Sequence, residues 1–217
     1  MRVIGIAGQQ GAGKDYFYEA LRDMIGDNVR RMAFADGVRR EVSREVFTAL
    51  GFEIKDDSGM AHWQKPYTAG QRFLLQQWGT EFRREQDPDY WVDYGLDYIA
   101  KLDTPESLWC VTDVRFANEA EAIKRVGGKV VLVHSALTER AKRLGLTAEE
   151  LEGRSGHASE VIDFDADFVV RSQSNGLYME MNLAEWLGLP RTCMPCLFVQ
   201  PHVWHDNGLP MERITRG

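Results

Sequence analysis

Gly8-Gln9-Gln10-Gly11-Ala12-Gly13-Lys14 sets three glycines and a lysine in the spacing G-x-x-x-x-G-K. The chemistry such a segment can do is the capture of phosphate. Glycines let the backbone turn its amides inward, and the lysine reaches the β and γ phosphates of a nucleoside triphosphate. A helix beginning at the lysine adds the positive end of its dipole. On this reading Gly8, Gly11, Ala12, Gly13, Lys14, Asp15 and Tyr16 are the candidate ATP-binding residues. Asp15 stands where Ser or Thr usually holds Mg²⁺; a carboxylate can still do so, directly or through water, or it can cap the helix instead. A second acidic position closes the apolar run Leu108-Trp109-Cys110-Val111-Thr112-Asp113. A carboxylate at a strand's carboxyl end faces the ligand crevice of a parallel sheet, so Asp113 is the other candidate Mg²⁺ ligand.

Transfer of a phosphoryl group to an acceptor that is itself a phosphate requires cations between two polyanions. Arginine's planar fork suits that task. Arg72, Arg83, Arg84 and Arg115 are candidates for the acceptor side. Arg72, Gln76 and Thr80 recur every four residues and share one side of an expected helix. Arg115 follows Asp113 at the crevice edge. Either Arg83 or Arg84 can turn inward, hardly both. Trp91 could stack on a base, though its helical spacing with Tyr94 and Tyr98 suits a core position equally. Arg140 and Arg143 lie three apart on a later helical stretch, with Arg154 beyond. They could stabilise charge on the moving phosphoryl group and exclude water. The candidate catalytic set is therefore Lys14, Asp113, Arg115, Arg140 and Arg143.

These residues need a scaffold that gathers strand ends. Five short apolar runs read as strands: Val3–Ala7, Val29–Ala35, Leu108–Thr112, Lys129–His134 and Phe168–Arg171. The first, third and fourth are near-continuous, as parallel strands buried on both faces are. Amphipathic stretches follow the first three, with Gly26, Gly51 and Gly127-Gly128 as stops. Alternation of strand and helix implies βαβ units and right-handed crossovers. The expected fold is a three-layer α/β/α domain over residues 1–189 with a five-stranded parallel sheet. Two helical insertions interrupt it, 52–107, which carries most of the acceptor candidates, and 135–165. Within the first, Gln71–Arg84 reads as a helix, and Asp87-Pro88 as the start of another that runs through Tyr98.

The 217 residues, 44% hydrophobic and 27% charged, suit a globular chain with a full core. The net charge of −7 argues against a general nucleic-acid-binding surface. No apolar run is long enough to cross a membrane. The amino terminus lacks signal-peptide architecture, and three cysteines are too few for a disulfide framework, so a reducing cytoplasmic setting is expected. Residues 190–217 form a tail without periodicity. Cys193, Cys196, His202 and His205 give C-x2-C-x5-H-x2-H, four residues that could bind Zn²⁺. The gap between the pairs is shorter than in common zinc modules, and a tail packed on the domain, or a contact in a homodimer, accounts for it as well.

Five segments in order, GQQGAGKD, MAFADGVRREV, QRFLLQQWGTEFRRE with DYWV at 89–92, VTDVRFANEAEAIKRVGGKVVLV and HASE at 157–160, resemble the phage-type deoxynucleoside monophosphate kinases. The resemblance spans roughly residues 1–188, and it shares the Asp after the lysine. It implies a P-loop kinase fold, Mg²⁺, and phosphoryl transfer from ATP to a deoxynucleoside 5′-monophosphate. It places Phe34, Ala35 and Asp36 beside the acceptor nucleotide and residues 171–176 near the adenine, and it makes the insertion 135–165 a lid. His134 departs from it, standing where an arginine is expected.

Overall fold

The structure is a computed structural model, and it describes residues 1–51, 63, 67–154, 162–174, 176–179 and 181–189. Its backbone falls into two compact units. One comprises Met1–Arg31 and Glu106–Gly217, the other Met32–Pro105.

The first unit is built on a sheet of β1 (Arg2–Ala7), β2 (Val29–Met32), β3 (Leu108–Val114), β4 (Lys129–His134), β5 (Phe168–Gln173) and β6 (Gly176–Met179). The strand order is β2-β3-β1-β4-β5-β6. β1 pairs in parallel with β3 and β4, and β4 with β5. Alternate residues of β1 serve opposite faces. Ile4 and Ile6 join Phe17 and Leu21 of α1 (Lys14–Ile25) and Leu183, Ala184 and Leu187 of α8 (Met181–Leu187) in one core cluster. Gly5 looks the other way, onto Ile123 of α5 (Ala117–Arg125); a Cβ there would lie 2.6 Å from Ile123 Cδ1. Helices on both faces of a mainly parallel sheet make the three-layer α/β/α fold that the alternation of runs predicts. Cys110 is buried in β3, and burial pushes its thiol well above the ordinary range, which removes it from nucleophilic chemistry.

The sheet departs from the expected one in two respects. The sheet has six strands, because Gly176–Met179 adds β6, which pairs antiparallel with β5. The second strand ends at Met32 rather than Ala35. Phe34, Ala35 and Asp36 open a helix, α2 (Phe34–Val42), and do not end a strand. The cause is Asp36, whose Oδ2 accepts the Ala33 amide at 3.0 Å and so satisfies a donor at the helix start.

The second unit is helical. α2 runs into a π-helical segment at Ser43–Phe47. α3 (Ala69–Gln76) starts at a reciprocal cap, with Thr68 Oγ1 accepting the Gln71 amide and Gln71 Oε1 accepting the Thr68 amide. It continues as a π-helix over Gln77–Arg84. α4 (Tyr90–Leu102) begins later than Asp87-Pro88 suggests, because the Asp87 carboxylate accepts the Asp89 amide in a turn before the helix. Close approach is bought with glycine: a Cβ on Gly37 would meet Tyr94 at 2.8 Å, and one on Gly95 would meet Met32 at 2.7 Å. α6 (Leu137–Leu144) and α7 (Ala148–Arg154) follow β4 in the first unit.

Candidate functional site

β1 lies between β3 and β4, so the chain leaves it at the point where the strand order reverses, the usual ligand position in an open α/β sheet. The phosphate-loop sequence occupies that exit. Gly8, Gly11 and Gly13 all have positive φ, at 152°, 76° and 97°. The loop is also tightly enclosed: a Cβ on Gly8 would lie 2.5 Å from the Val133 carbonyl oxygen of β4. The Ala12 amide closes the turn onto the Gln9 carbonyl at 3.1 Å, and α1 starts immediately afterwards, with Phe17 N donating to Gly13 O at 2.9 Å. The helix amino terminus and its dipole therefore open at the loop.

Lys14 Nζ donates to the carbonyls of Gly8, at 2.5 Å, and Gln9, at 3.0 Å. The ammonium is thus held over the loop instead of trailing into solvent. Asp15 and Tyr16 are exposed in the first turn of α1.

α6 supplies cations to the same loop. Arg143 Nη1 donates to the carbonyls of Gly11 and Ala12 at 3.0 and 3.2 Å, and Arg140 Nη1 to that of Gln10 at 3.3 Å. Arg140 is buried, whereas Arg143 is exposed. His134 ends β4 directly opposite Arg171 of β5. Burial, then the charges of Arg171 and Arg140, hold its imidazole below the usual pKa, so it is neutral near pH 7. Where an arginine was expected, the chain carries a neutral ring flanked by two arginines.

Asp113 occupies an irregularity that the sequence did not announce. Gly5 pairs with Val111 but Ala7 pairs with Val114, so β3 carries an extra residue between those partners. Such a bulge interrupts the alternation of side chains and re-aims one of them, commonly beside a functional site. Asp113 is half-buried there. Arg115 is exposed; its amide and that of Phe116 both donate to Glu119 Oε2, at 2.7 and 3.1 Å, which fixes the start of α5. Ser172 of β5 presents a buried hydroxyl beside Gly13: a Cβ on Gly13 would fall 2.6 Å from its Oγ. A lone serine in an apolar strand carries no sequence signal for such a place.

Apart from Arg115, the expected acceptor residues lie in the helical unit. Arg72 and Gln76 are exposed on α3. Thr80 is exposed too but falls in the π-helix, whose wider turn carries it off the i+4 row assumed from the sequence. Phe34 is buried, and Asp36 ion-pairs with Arg39 while capping α2. Arg83 turns in and ion-pairs with the buried Glu41. Trp91 is 1% exposed and donates from Nε1 to the Gly79 carbonyl at 2.9 Å, so its ring is enclosed by protein. Cys193, Cys196, His202 and His205, the segment 157–160 and the Arg154 side chain lie outside the described residues. Among those described, no group of three His, Cys, Asp or Glu could hold a metal, and no helix is long and apolar enough to cross a membrane.

No protein-family model matches the chain, and no curated protein matches it by sequence. Solved structures similar to it include TT1252 from Thermus thermophilus, at 18% identity and a TM-score of 0.44 over 79% of this chain and 88% of that one. Dephospho-CoA kinase from Campylobacter jejuni is similar at 14% identity and a TM-score of 0.42, over 80% of this chain and 90% of that one. Similarity at this level bears on neither chemistry nor substrate.

Proposed function

We propose that the chain catalyses phosphoryl transfer from ATP to a deoxynucleoside 5′-monophosphate, giving ADP and a deoxynucleoside diphosphate. The observation that carries this reading is the glycine loop at the sheet's switch point, with Lys14 laid across it and two arginines of α6 bonded to its backbone. An oxygen of the acceptor phosphate attacks the γ-phosphorus, the bond to the β-bridging oxygen breaks, and that oxygen leaves on ADP. No protein base is needed, because the attacking oxygen is already anionic. The protein's part is alignment and charge neutralisation.

In this mechanism the loop amides and the α1 terminus hold the β and γ phosphates. Lys14 exchanges its carbonyl partners for phosphate oxygens. Arg140 and Arg143, already tethered to the loop, lie close enough to follow charge as it moves to the leaving oxygen. Asp113 and Asp15 are hard oxygen donors of the kind Mg²⁺ takes, one or two carboxylates sufficing when phosphates complete the shell. When bound, Mg²⁺ would neutralise charge on the β and γ phosphates. The acceptor falls to the helical unit, with Arg72 and Gln76 as its exposed polar pair.

Incubation with ATP, Mg²⁺ and each deoxynucleoside monophosphate, base-modified ones included, tests the proposal. Formation of a diphosphate from at least one is expected; failure with all sinks it. A kinase of another small acceptor would form a phosphorylated product only outside that panel. A regulatory ATPase would release phosphate with no acceptor present.

A further inference from the structure

Glu41 belongs to no motif, yet it is the most heavily bonded carboxylate of the helical unit among the interactions described. Trp78 Nε1 donates to its Oε1 at 3.0 Å, Arg83 Nε to the same oxygen at 2.5 Å, and the Tyr90 hydroxyl to Oε2 at 2.9 Å. Arg83 Nη2 ion-pairs with Oε1 as well. The carboxylate is only 6% exposed, and burying it would cost several kcal/mol without such partners. Burial and the bond to Glu41 push the Tyr90 hydroxyl above its ordinary pKa, so it remains a donor at neutral pH.

The same residues box in the arginine. Its Cζ lies 4.9 Å from the Tyr90 ring centroid, 5.1 Å from that of Phe82 and 6.0 Å from that of Trp78. The π-helix makes this possible: Trp78 and Arg83 are five residues apart, the neighbour spacing of that helix, and both reach Glu41. Yet the Arg83 side chain keeps 27% exposure, and among the described residues its Nη1 donates to no one. A guanidinium held in this way is not a solvated surface charge. Its rotamer entropy is already lost, and it offers two N–H groups in one fixed direction.

We propose that Glu41 is a positioning residue: it fixes Arg83 in the aromatic box so that the Nη1 edge meets the phosphate of the acceptor nucleotide. This rests on the reading that the helical unit binds a nucleoside monophosphate. Trp78 and Tyr90 take up part of the carboxylate's charge, so the guanidinium is oriented without being cancelled. Selection is then by shape, for a compact phosphomonoester.

The test compares the wild type with Glu41→Gln, Arg83→Lys and the double variant, by steady-state kinetics in both substrates, and by calorimetric titration with a nucleoside monophosphate and with inorganic phosphate. Loss of one aligned charged hydrogen bond predicts that Glu41→Gln raises the acceptor KM about tenfold, while kcat and the ATP KM stay within about twofold. The double variant should be no worse than the worse single one, because the two residues act as a unit. If Glu41→Gln does not fold, Tyr90→Phe removes one donor to Glu41 and should raise the acceptor KM about threefold. Lowered Tm with an unchanged acceptor KM would show a purely structural role and overturn the proposal. A wild type without kinase turnover that binds phosphate, and loses it in Glu41→Gln, would overturn the function proposed above and leave the positioning role standing. Neither turnover nor phosphate binding in the wild type would overturn both.

Discussion

Gly8→Ala is the sharpest probe of the loop, because the structure states what the added methyl would strike. The obstacle is the Val133 carbonyl oxygen, 2.5 Å from the new Cβ, whereas real Cβ contacts essentially never fall below 3.0 Å. That oxygen is backbone within β4, which is paired on both sides, with β1 and β5, so it cannot retreat alone. The loop must move instead. Residue 8 also sits at φ +152°, which L side chains rarely adopt. Backbone strain costs about 1–3 kcal/mol and overpacking about as much again. A destabilisation of roughly 3–4 kcal/mol lowers Tm by on the order of 10 °C in a domain of this size. Displacing the loop should also cost at least one amide–phosphate bond, hence about tenfold or more in ATP affinity. Gly127→Ala is the control: φ is +81° there, and nothing lies within 4 Å of the Cβ. It should cost only the left-handed backbone term, about 1–2 kcal/mol, and leave ATP binding alone. Scanning calorimetry and ATP titration on both variants decide the matter. A Gly8→Ala protein that binds ATP normally and melts no lower than Gly127→Ala would refute the reasoning.

Other outcomes follow from the same geometry. Lys14→Ala should lower turnover by about a hundredfold or more while circular dichroism shows a native fold; normal activity would overturn the phosphate-loop assignment. Trp91→Ala should destabilise by about 3–5 kcal/mol, as loss of a buried aromatic does, and urea denaturation would show it. A variant with native stability and an altered acceptor KM would instead make Trp91 a base-stacking residue. His134 has a lowered folded pKa, so the unfolded chain takes up the proton first as pH falls. Its contribution is fully present above the unfolded value of about 6.5 and is lost below it. His134→Gln should flatten the acid limb of a Tm-against-pH curve between pH 7 and 5, and an unchanged limb would exclude His134 as its source.

The parts legible in the sequence are those that local pattern decides. Continuous apolar runs marked β1, β3 and β4, because strands buried on both faces tolerate little else. Glycine stops marked the ends of α1 and α5. The run MAFAD misled for a local reason: its apolar residues look like a strand, but Asp36 bonds back to the Ala33 amide and turns Phe34 into the first residue of a helix. β6 was too short to separate from a loop. The widened turns at Ser43–Phe47 and Gln77–Arg84 have no periodic signature in so few residues, yet the second sets Trp78 and Arg83 at the five-residue spacing from which both reach Glu41. Neither the bulge at Asp113 nor the place of Ser172 beside Gly13 could be read, since both depend on register between strands distant in sequence.

The central claim is that a phosphoryl group passes directly from a triphosphate on the glycine loop to a nucleoside monophosphate. Following the label from ATP radiolabelled in its γ-phosphate tests it most directly. The account predicts that label appears in the β-phosphate of the deoxynucleoside diphosphate, one for each ADP formed, and that little is released without an acceptor. Label recovered only as inorganic phosphate, whichever monophosphate is supplied, would contradict it.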